Sequence, residues 1–441
     1  MISSKIAKRL SSSSSQAALK SSLIILGPKA TIVSRTIIPD VKVESRIQNA
    51  SEIQKNFKDR QIDDQELLGV TFDDLLKRYS IFKSESNHLE EIDKERQHNL
   101  ALMDESKGTE FESDIKNNLQ TIKERFKKAQ KYHWKVEEDF MVPFLKVPNV
   151  LDGRTPKNTL TILHDSKEGN ETLSKIKSHE DSPELEFDIH SNNAFLKGKW
   201  ALKEIELLRK AQLFLQEGYF CDIISPPDIV RSTVMEGCDP LSFGNPSKSL
   251  ALNKSSDFGD ISSGLGAHLV GSASLPALVT YFVKNLMTKS NVLPINLFSI
   301  GRQYFPLDET CQRSLFKTQQ STCAGILSLS KDQDQMEESF DKFQEKIQAF
   351  YDDLGLRYRL VLTSADKLDI AESLRLEVQM WSPVNQDYIK VGHISKIGDY
   401  ISERLLIKYK DSEEQLKNLQ LLSGSLIDAY KVIGCMLEYD K

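Results

Sequence analysis

Hydrophobic positions in the first third of the chain recur at alternating steps of four and three. From Leu68 the series runs through Phe72, Leu75, Tyr79, Phe82, Ser86, Leu89, Asp93, Arg96, Leu100 and Met103, and eight of these eleven positions are apolar. A second series, Ile115, Leu119, Ile122, Phe126, Ala129, His133, Val136 and Phe140, keeps the same steps without a break. Residues 104–110 between them are polar and include Gly108, enough for the chain to reverse. Two such heptad series joined by a short turn predict an antiparallel coiled-coil hairpin, each helix roughly 35–50 Å long at about 1.5 Å per residue. Pro143 and Pro148 are expected to end the second helix.

Beyond Pro148 the pattern changes. Residues 167–186 are polar and charged and read as a linker or surface insertion. His164, His179 and His190 stand at no ligand spacing and read as surface histidines. The chain thus divides into an arm over 50–145, a linker over 146–190 and a second domain over 191–441. A helical period returns over 200–216 on Leu202, Ile205, Leu208 and Leu213, ending at Gly218. Strand-like runs follow at 219–225, 268–271, 296–302, 315–318, 324–329, 358–363, 374–381 and 388–394. Helices are expected at 276–287, 336–354, 399–409 and 425–437. Many strands with few helices directly between them predict an α+β domain, an antiparallel sheet flanked by helices. With no P-loop and no Gly-x-Gly-x-x-Gly, a standard mononucleotide or dinucleotide fold has no support.

Composition narrows the function classes. The 441 residues carry 58 Lys+Arg against 64 Asp+Glu, and the five cysteines, Cys221, Cys238, Cys311, Cys323 and Cys435, are scattered singly. Neither a disulfide framework nor a zinc site follows, so reduced thiols and no metal are expected. No apolar run approaches the roughly 18 residues of a membrane span. Residues 1–39 hold six cations, no acid and ten serines. That is the composition of a mitochondrial transit peptide, and it directs the protein to the matrix; the other reading is a basic tail that binds an acidic surface. Removing 1–39 takes the formal charge from −6 to −12, so nucleic-acid binding has to come from a local stripe.

The second hairpin helix supplies one. Lys116, Lys123, Arg125, Lys127, Lys128, Lys131 and Lys135 crowd the positions outside its apolar seam, with Tyr132 and Trp134 among them. Such a run is either a solvated face or an RNA backbone contact, in which lysines release counterions and aromatics stack on bases.

The ordered set of hairpin, Pro148-Asn149, Gly218-Tyr219 leading to Ser225-Pro226-Pro227, Ile300-Gly301-Arg302-Gln303-Tyr304 and Leu315-Phe316-Lys317-Thr318-Gln319-Gln320 resembles the class II seryl-tRNA synthetases. Trp381-Ser382-Pro383, Asp399-Tyr400, Arg404-Leu405, Ser423-Gly424-Ser425 and Leu437-Glu438 extend the likeness over about residues 50–441. With the basic leader, the chain looks most similar to the catalytically degenerate paralogue of insect mitochondria. The resemblance implies a class II synthetase core over 191–441, a tRNA-gripping arm, and dimerisation around Tyr219, Ile224, Pro226 and Pro227. It also implies serine activation by ATP, for which the site residues are mostly missing.

The family's Thr-x-Glu, whose acid receives the serine ammonium, falls on Ser272-Ala273-Ser274. The Arg that orients the α-phosphate is kept as Arg302, but the adenine-reading Glu is Tyr304. Lys317 precedes a degenerate His-Gln-Phe, and the acid closing that motif is Gly325. A magnesium carboxylate becomes Lys390, a later Asn becomes Lys396, and the Arg that grips the γ-phosphate becomes Lys431. Turning a magnesium carboxylate into an ammonium costs on the order of 10 kcal/mol before screening, taking an effective dielectric of about 20. Lysine also cannot replace a planar bidentate grip on phosphate. The expectation is therefore a protein without ATP, magnesium or adenylation activity. Its partners are then an active mitochondrial seryl-tRNA synthetase, or a second copy of itself, and mitochondrial tRNA or other RNA; a weakly active ligase is the remaining alternative.

Overall fold

The computed structural model describes residues 20–27, 30, 37–105, 111–166, 178, 182–188, 193–252, 266–306 and 314–439. The hairpin turn at 106–110, residues 1–19 of the expected leader, residues 167–177, 179–181 and 189–190 of the expected linker, and Cys311 lie outside the described residues, and with them His179 and His190. Three short helices, α1 (Val43–Gln48), α2 (Ala50–Asp59) and α3 (Asp64–Leu68), lead into the long pair α4 (Phe72–Glu105) and α5 (Glu112–Phe144). The seam of this pair holds Leu75, Ile92, Leu119, Ile122 and Phe140, all buried, and Phe82 stacks on Phe140 with centroids 5.4 Å apart.

Pro143 does not end α5 but sits inside its last turn. A proline there leaves the Asp139 carbonyl without its usual helical donor, and Arg78 of α4 donates to that carbonyl at 2.7 Å instead.

The second domain is built on an eight-stranded sheet. Its strands are β1 (Thr161–Asp165), β2 (Asp222–Ile223), β3 (Ile295–Tyr304), β4 (Gln320–Ser330), β5 (Tyr358–Leu362), β6 (Leu374–Ser382), β7 (Asp387–Gly398) and β8 (Gln420–Asp428), in the spatial order β1-β5-β6-β7-β8-β4-β3-β2. Every pairing is antiparallel except β2 with β3. The expected α+β architecture with an antiparallel sheet is what forms, with local differences. Residues 315–318 form a short 3-10 turn, Leu315–Lys317, and not a strand. Residues 425–428 finish β8 before the last helix begins. The edge strand β1 was not foreseen; its His164 is half-buried against Tyr358, with centroids 5.5 Å apart.

Each face of the sheet has its own core. The back carries α6 (Gly198–Gln216), α9 (Gln333–Leu354) and α11 (Ala429–Glu438) over Phe298, Ile326, Leu376, Val378 and Ile394. The front carries the hairpin base with α7 (Ser232–Cys238), α8 (Leu275–Thr280) and α10 (Tyr400–Leu405) over Leu297, Leu327, Ile397 and Leu421. In α6 the buried side is Trp200, Leu207, Ala211 and Leu215. Of the series that marks the helical period, Leu202, Ile205 and Leu213 are exposed by 69%, 65% and 54%, and Leu208 is half-buried.

The arm meets the core through buried polar groups. Arg60 donates to the carbonyls of Asn149 at 3.0 Å and Asp369 at 3.2 Å. Asn149 donates to the Ala371 and Ile397 carbonyls at 2.9 and 2.7 Å, and Arg404 to Leu145 at 2.9 Å. Asn149→Ala removes donors from two of these carbonyls and should lower unfolding free energy by about 2 kcal/mol or more, read as a reduced midpoint in urea. A midpoint equal to the parent's would show that the junction does not depend on this amide.

Candidate functional site

Alternation along β3 sorts its side chains. Leu297 packs in the front core and Phe298 in the back, which places Gly301 and Gln303 in front and Arg302 and Tyr304 behind. The contacts agree. Gln303 Nε2 donates to the Ala273 carbonyl at 2.7 Å. Arg302 instead turns toward α6 and α11, donating to Tyr430 Oη at 3.0 Å and standing 3.6 Å from Glu204. Glu204 also accepts from Thr322 at 2.5 Å. Arg302, the arginine kept in the resemblance, therefore does not share a face with Ser272 and Ser274.

The segment 271–274 lies directly on the sheet. Asp228 pins it, its Oδ1 accepting from Ser272 N at 2.7 Å while its carbonyl accepts from Val270 and Gly271 at 2.9 and 3.0 Å. Ser274 caps α8, accepting from Ala277 N at 3.4 Å and donating to the Gly271 carbonyl at 2.6 Å. The sheet can be approached this closely because it has glycines beneath. A Cβ on Gly325 would stand 2.0 Å from the Ala273 carbonyl oxygen, and one on Gly301 would stand 2.0 Å from Ser272 Oγ. Gly271, at φ +86°, would place a Cβ 2.0 Å from the Arg302 carbonyl.

The other carried positions have internal partners. Lys431, half-buried and 3.1 Å from Asp428 Oδ2, is raised above the ordinary lysine range: desolvation opposes its charge, but Asp428 outweighs that cost. Ser321 donates to the same carboxylate. Lys396 is fully buried on the back, 2.9 Å from Asp152 and paired with Glu337 of α9, so it is not beside Lys390. Lys390 lies opposite Gln379 in β7, half-buried, and its pKa is lowered by burial and by Arg375. Lys317 is exposed at the end of its turn.

Residues that sequence reasoning missed form the rest of the front face. Arg375 pairs with Asp369 at 2.7 Å, with Glu372, and with Glu377 at 3.5 Å. Beside it a cavity of about 270 Å³ is lined by Asp239, Ser274, Gln303, Glu372, His393 and Ser395, among others. Burial and the neighbouring Lys390, Arg375 and Lys431 hold His393 well below the usual histidine range, hence neutral. The signal available in the sequence was the glycine pair 301 and 325 on neighbouring strands, a pattern that marks close approach by another backbone.

On the arm, all seven basic residues of α5 are exposed. At about 100° per residue, six of them fall within roughly 140° on the side away from the seam, with Glu124 and Glu138 among them. Arg125 lies off that stripe and meets Glu95 of α4 at 3.2 Å. Tyr132 is exposed, whereas Trp134 packs against Gly27. Of the expected dimer residues, Ile224 is half-buried, Pro226 buried and Pro227 exposed, and the Tyr219 side chain lies outside the description.

Residues 267–440 match the tRNA synthetase class II core domain (G, H, P, S and T). The serine-tRNA synthetase-like protein Slimp of Drosophila melanogaster is 23% identical over 410 residues, covering 89% of this chain and 85% of that protein. A serine-tRNA ligase of Borrelia garinii is 22% identical over 79% of this chain and 83% of its own length. Among solved structures, seryl-tRNA synthetase from Pyrococcus horikoshii complexed with ATP superposes with a TM-score of 0.75 at 16% identity, covering 90% and 94% of the two chains. The cytoplasmic serine-tRNA ligase of Naegleria fowleri with AMP gives 0.71 at 16%, covering 89% and 90%. The chain therefore contains a class II core domain and has the seryl-tRNA synthetase fold.

Gly325→Glu, which puts an acid back at that position, should not restore a site but drive the 271–274 segment off the sheet. Gly325→Ala should already cost about 1–3 kcal/mol by overpacking, seen as a lower thermal midpoint. An unchanged midpoint for both would mean the segment yields freely.

Proposed function

We propose that this seryl-tRNA synthetase-like chain is a non-catalytic mitochondrial paralogue that supports translation by pairing with an active mitochondrial seryl-tRNA synthetase and lending its basic arm to tRNA. The observation that carries the reading is the Ala273 backbone resting on Gly325, where the family motif would place an acid. ATP and magnesium do not fit the residues present. Arg302 turns to the back of the sheet and Lys431 is taken up by Asp428, so neither offers a free fork to phosphate. Lys390 puts a cation at the position that matches a metal carboxylate, and Arg375 occupies the neighbouring acids Glu372 and Asp369. No catalytic step is assigned to these residues.

Pairing is supported by α6. Leu202, Ile205 and Leu213 lie within roughly 80° of one another around the helix at about 100° per residue, and all three are exposed. An apolar stripe of this kind on a two-layer core is a surface suited to a related subunit. The relative in Drosophila is itself named a synthetase-like protein. The outward lysines of α5 favour a second reading, an independent homodimer that binds mitochondrial RNA.

Native mass determination of the tagged protein from mitochondria should give a one-to-one complex with the mitochondrial seryl-tRNA synthetase. Self-dimers with RNA would select the second reading. The purified chain should show no serine-dependent exchange of pyrophosphate into ATP; exchange would reinstate a ligase. Replacing Lys127, Lys128 and Lys131 by Glu should weaken RNA binding roughly tenfold or more at low salt and flatten its salt dependence. Unchanged binding would leave the stripe as a solvated face.

A further inference from the structure

Part of the stretch read as leader is built into the fold. Ser21 and Ser22 are buried, and Leu23, Ile24, Ile25 and Ile37 have at most 6% of their surface exposed. Their anchor is Glu236 of α7, which is 4% exposed. Ser21 Oγ donates to its Oε1 at 2.5 Å, and Ser22 donates to Oε2 through both its hydroxyl and its amide at 2.5 Å. Leu23 N adds a weaker bond at 3.3 Å. No cation faces this carboxylate in the described structure; its acceptors are filled by the N-terminal segment alone. A buried carboxylate stripped of those donors would bear its full desolvation cost.

The same segment touches the arm. Lys20 pairs with Asp139 of α5 at 2.9 Å, and Gly27 lies flat on the Trp134 ring, where a Cβ would come within 2.6 Å. Leu23 and Ile24 join Phe140, Met141 and Phe144 of α5 and Val234 and Met235 of α7 in one cluster. Further on, Asp40 N donates to the Glu403 carbonyl at 2.8 Å and the Asp40 carboxylate meets Lys408. One short stretch therefore holds the base of the arm, α7 and the end of α10 together.

We infer that residues 20–27 and 37–40 are a permanent strap clasping the arm to the core, and that the peptide bond cut on import lies before Lys20, not near residue 39. The cut is a hydrolysis by a processing peptidase: one water adds across the bond, leaving a carboxylate on the leader and a new ammonium at or before position 20. Only the existence of a cut rests on the mitochondrial reading; the clasp does not.

Two measurements decide it. The mass of C-terminally tagged protein recovered from mitochondria should correspond to a start at or before Lys20. A start after Lys20 overturns the inference, and one after Leu23 would also remove every Glu236 donor. Protein that keeps Met1 would overturn the proposed cut and leave the clasp to the second measurement, hydrogen exchange of residues 134–144 in the full chain. The paired change Ser21→Ala with Ser22→Ala, and separately Gly27→Val, should each speed exchange there by tenfold or more while α9 stays protected. Exchange at the parent rate in both variants would overturn the clasp, and loss of protection in α9 as well would show a general unfolding that refutes a local role.

Discussion

The arm and the core are joined by guanidinium groups that have left water and found backbone carbonyls. Arg60 and Arg404 are both fully buried, and burial pulls each down to about 10, still far enough above neutrality for both to stay charged. Each is a rigid fork of donors, so it can satisfy carbonyls from several segments at once. Arg60 gathers Asn149, Asp369 and Glu372, and Arg404 gathers Tyr400 and Leu145. Loop ends of this kind could not be buried otherwise, since every unpaired carbonyl carries a penalty. Asn149 completes the set, which gives a physical meaning to the Pro148-Asn149 pair at the foot of the hairpin.

That junction fixes the front of the sheet, and there the chain has turned its polar groups inward. Arg375 is held there by three acids and Lys431 by Asp428, while on the back Lys396 is held by Asp152 and Glu337. A cation already paired at contact distance in a poorly hydrated site has little left to offer an incoming phosphate. The glycine floor completes the closure, because backbone fills the volume that side chains would otherwise line. The outside is different: the lysines of α5 and the apolar stripe of α6 are exposed.

The sequence was most legible where its pattern was local and long. One unbroken heptad series and a second interrupted at Ser86, Asp93 and Arg96 are enough to predict the hairpin, since each helix needs only its neighbour to bury its seam. Which residues fill the α4 seam was less legible, with Ile92 buried and Leu100 exposed. The antiparallel α+β core was legible from strand-like runs and from the ordered motifs, and the non-acidic residues at 274, 304 and 390 could be read directly. The α6 assignment shows the limit. Leu202, Ile205 and Leu213 and the set Trp200, Leu207, Ala211 and Leu215 are both apolar stripes on one helix, and only packing against the sheet chose which went inside.

By itself, then, the sequence determined the helices of the arm and the class of the core, because these follow from periodicity and from the order of the motifs. The tertiary structure decided the rest. Period-two alternation sends Arg302 and Gln303 to opposite faces, but which face is the front is set by the layers packed against it. Likewise, Ser21 to Ile25 looks like any short apolar piece of a leader until a carboxylate 215 residues from Ser21 is brought against it. Contacts between distant segments leave no local trace in the chain, and so the extent of the strap and the closure of the front face became visible only once it had folded.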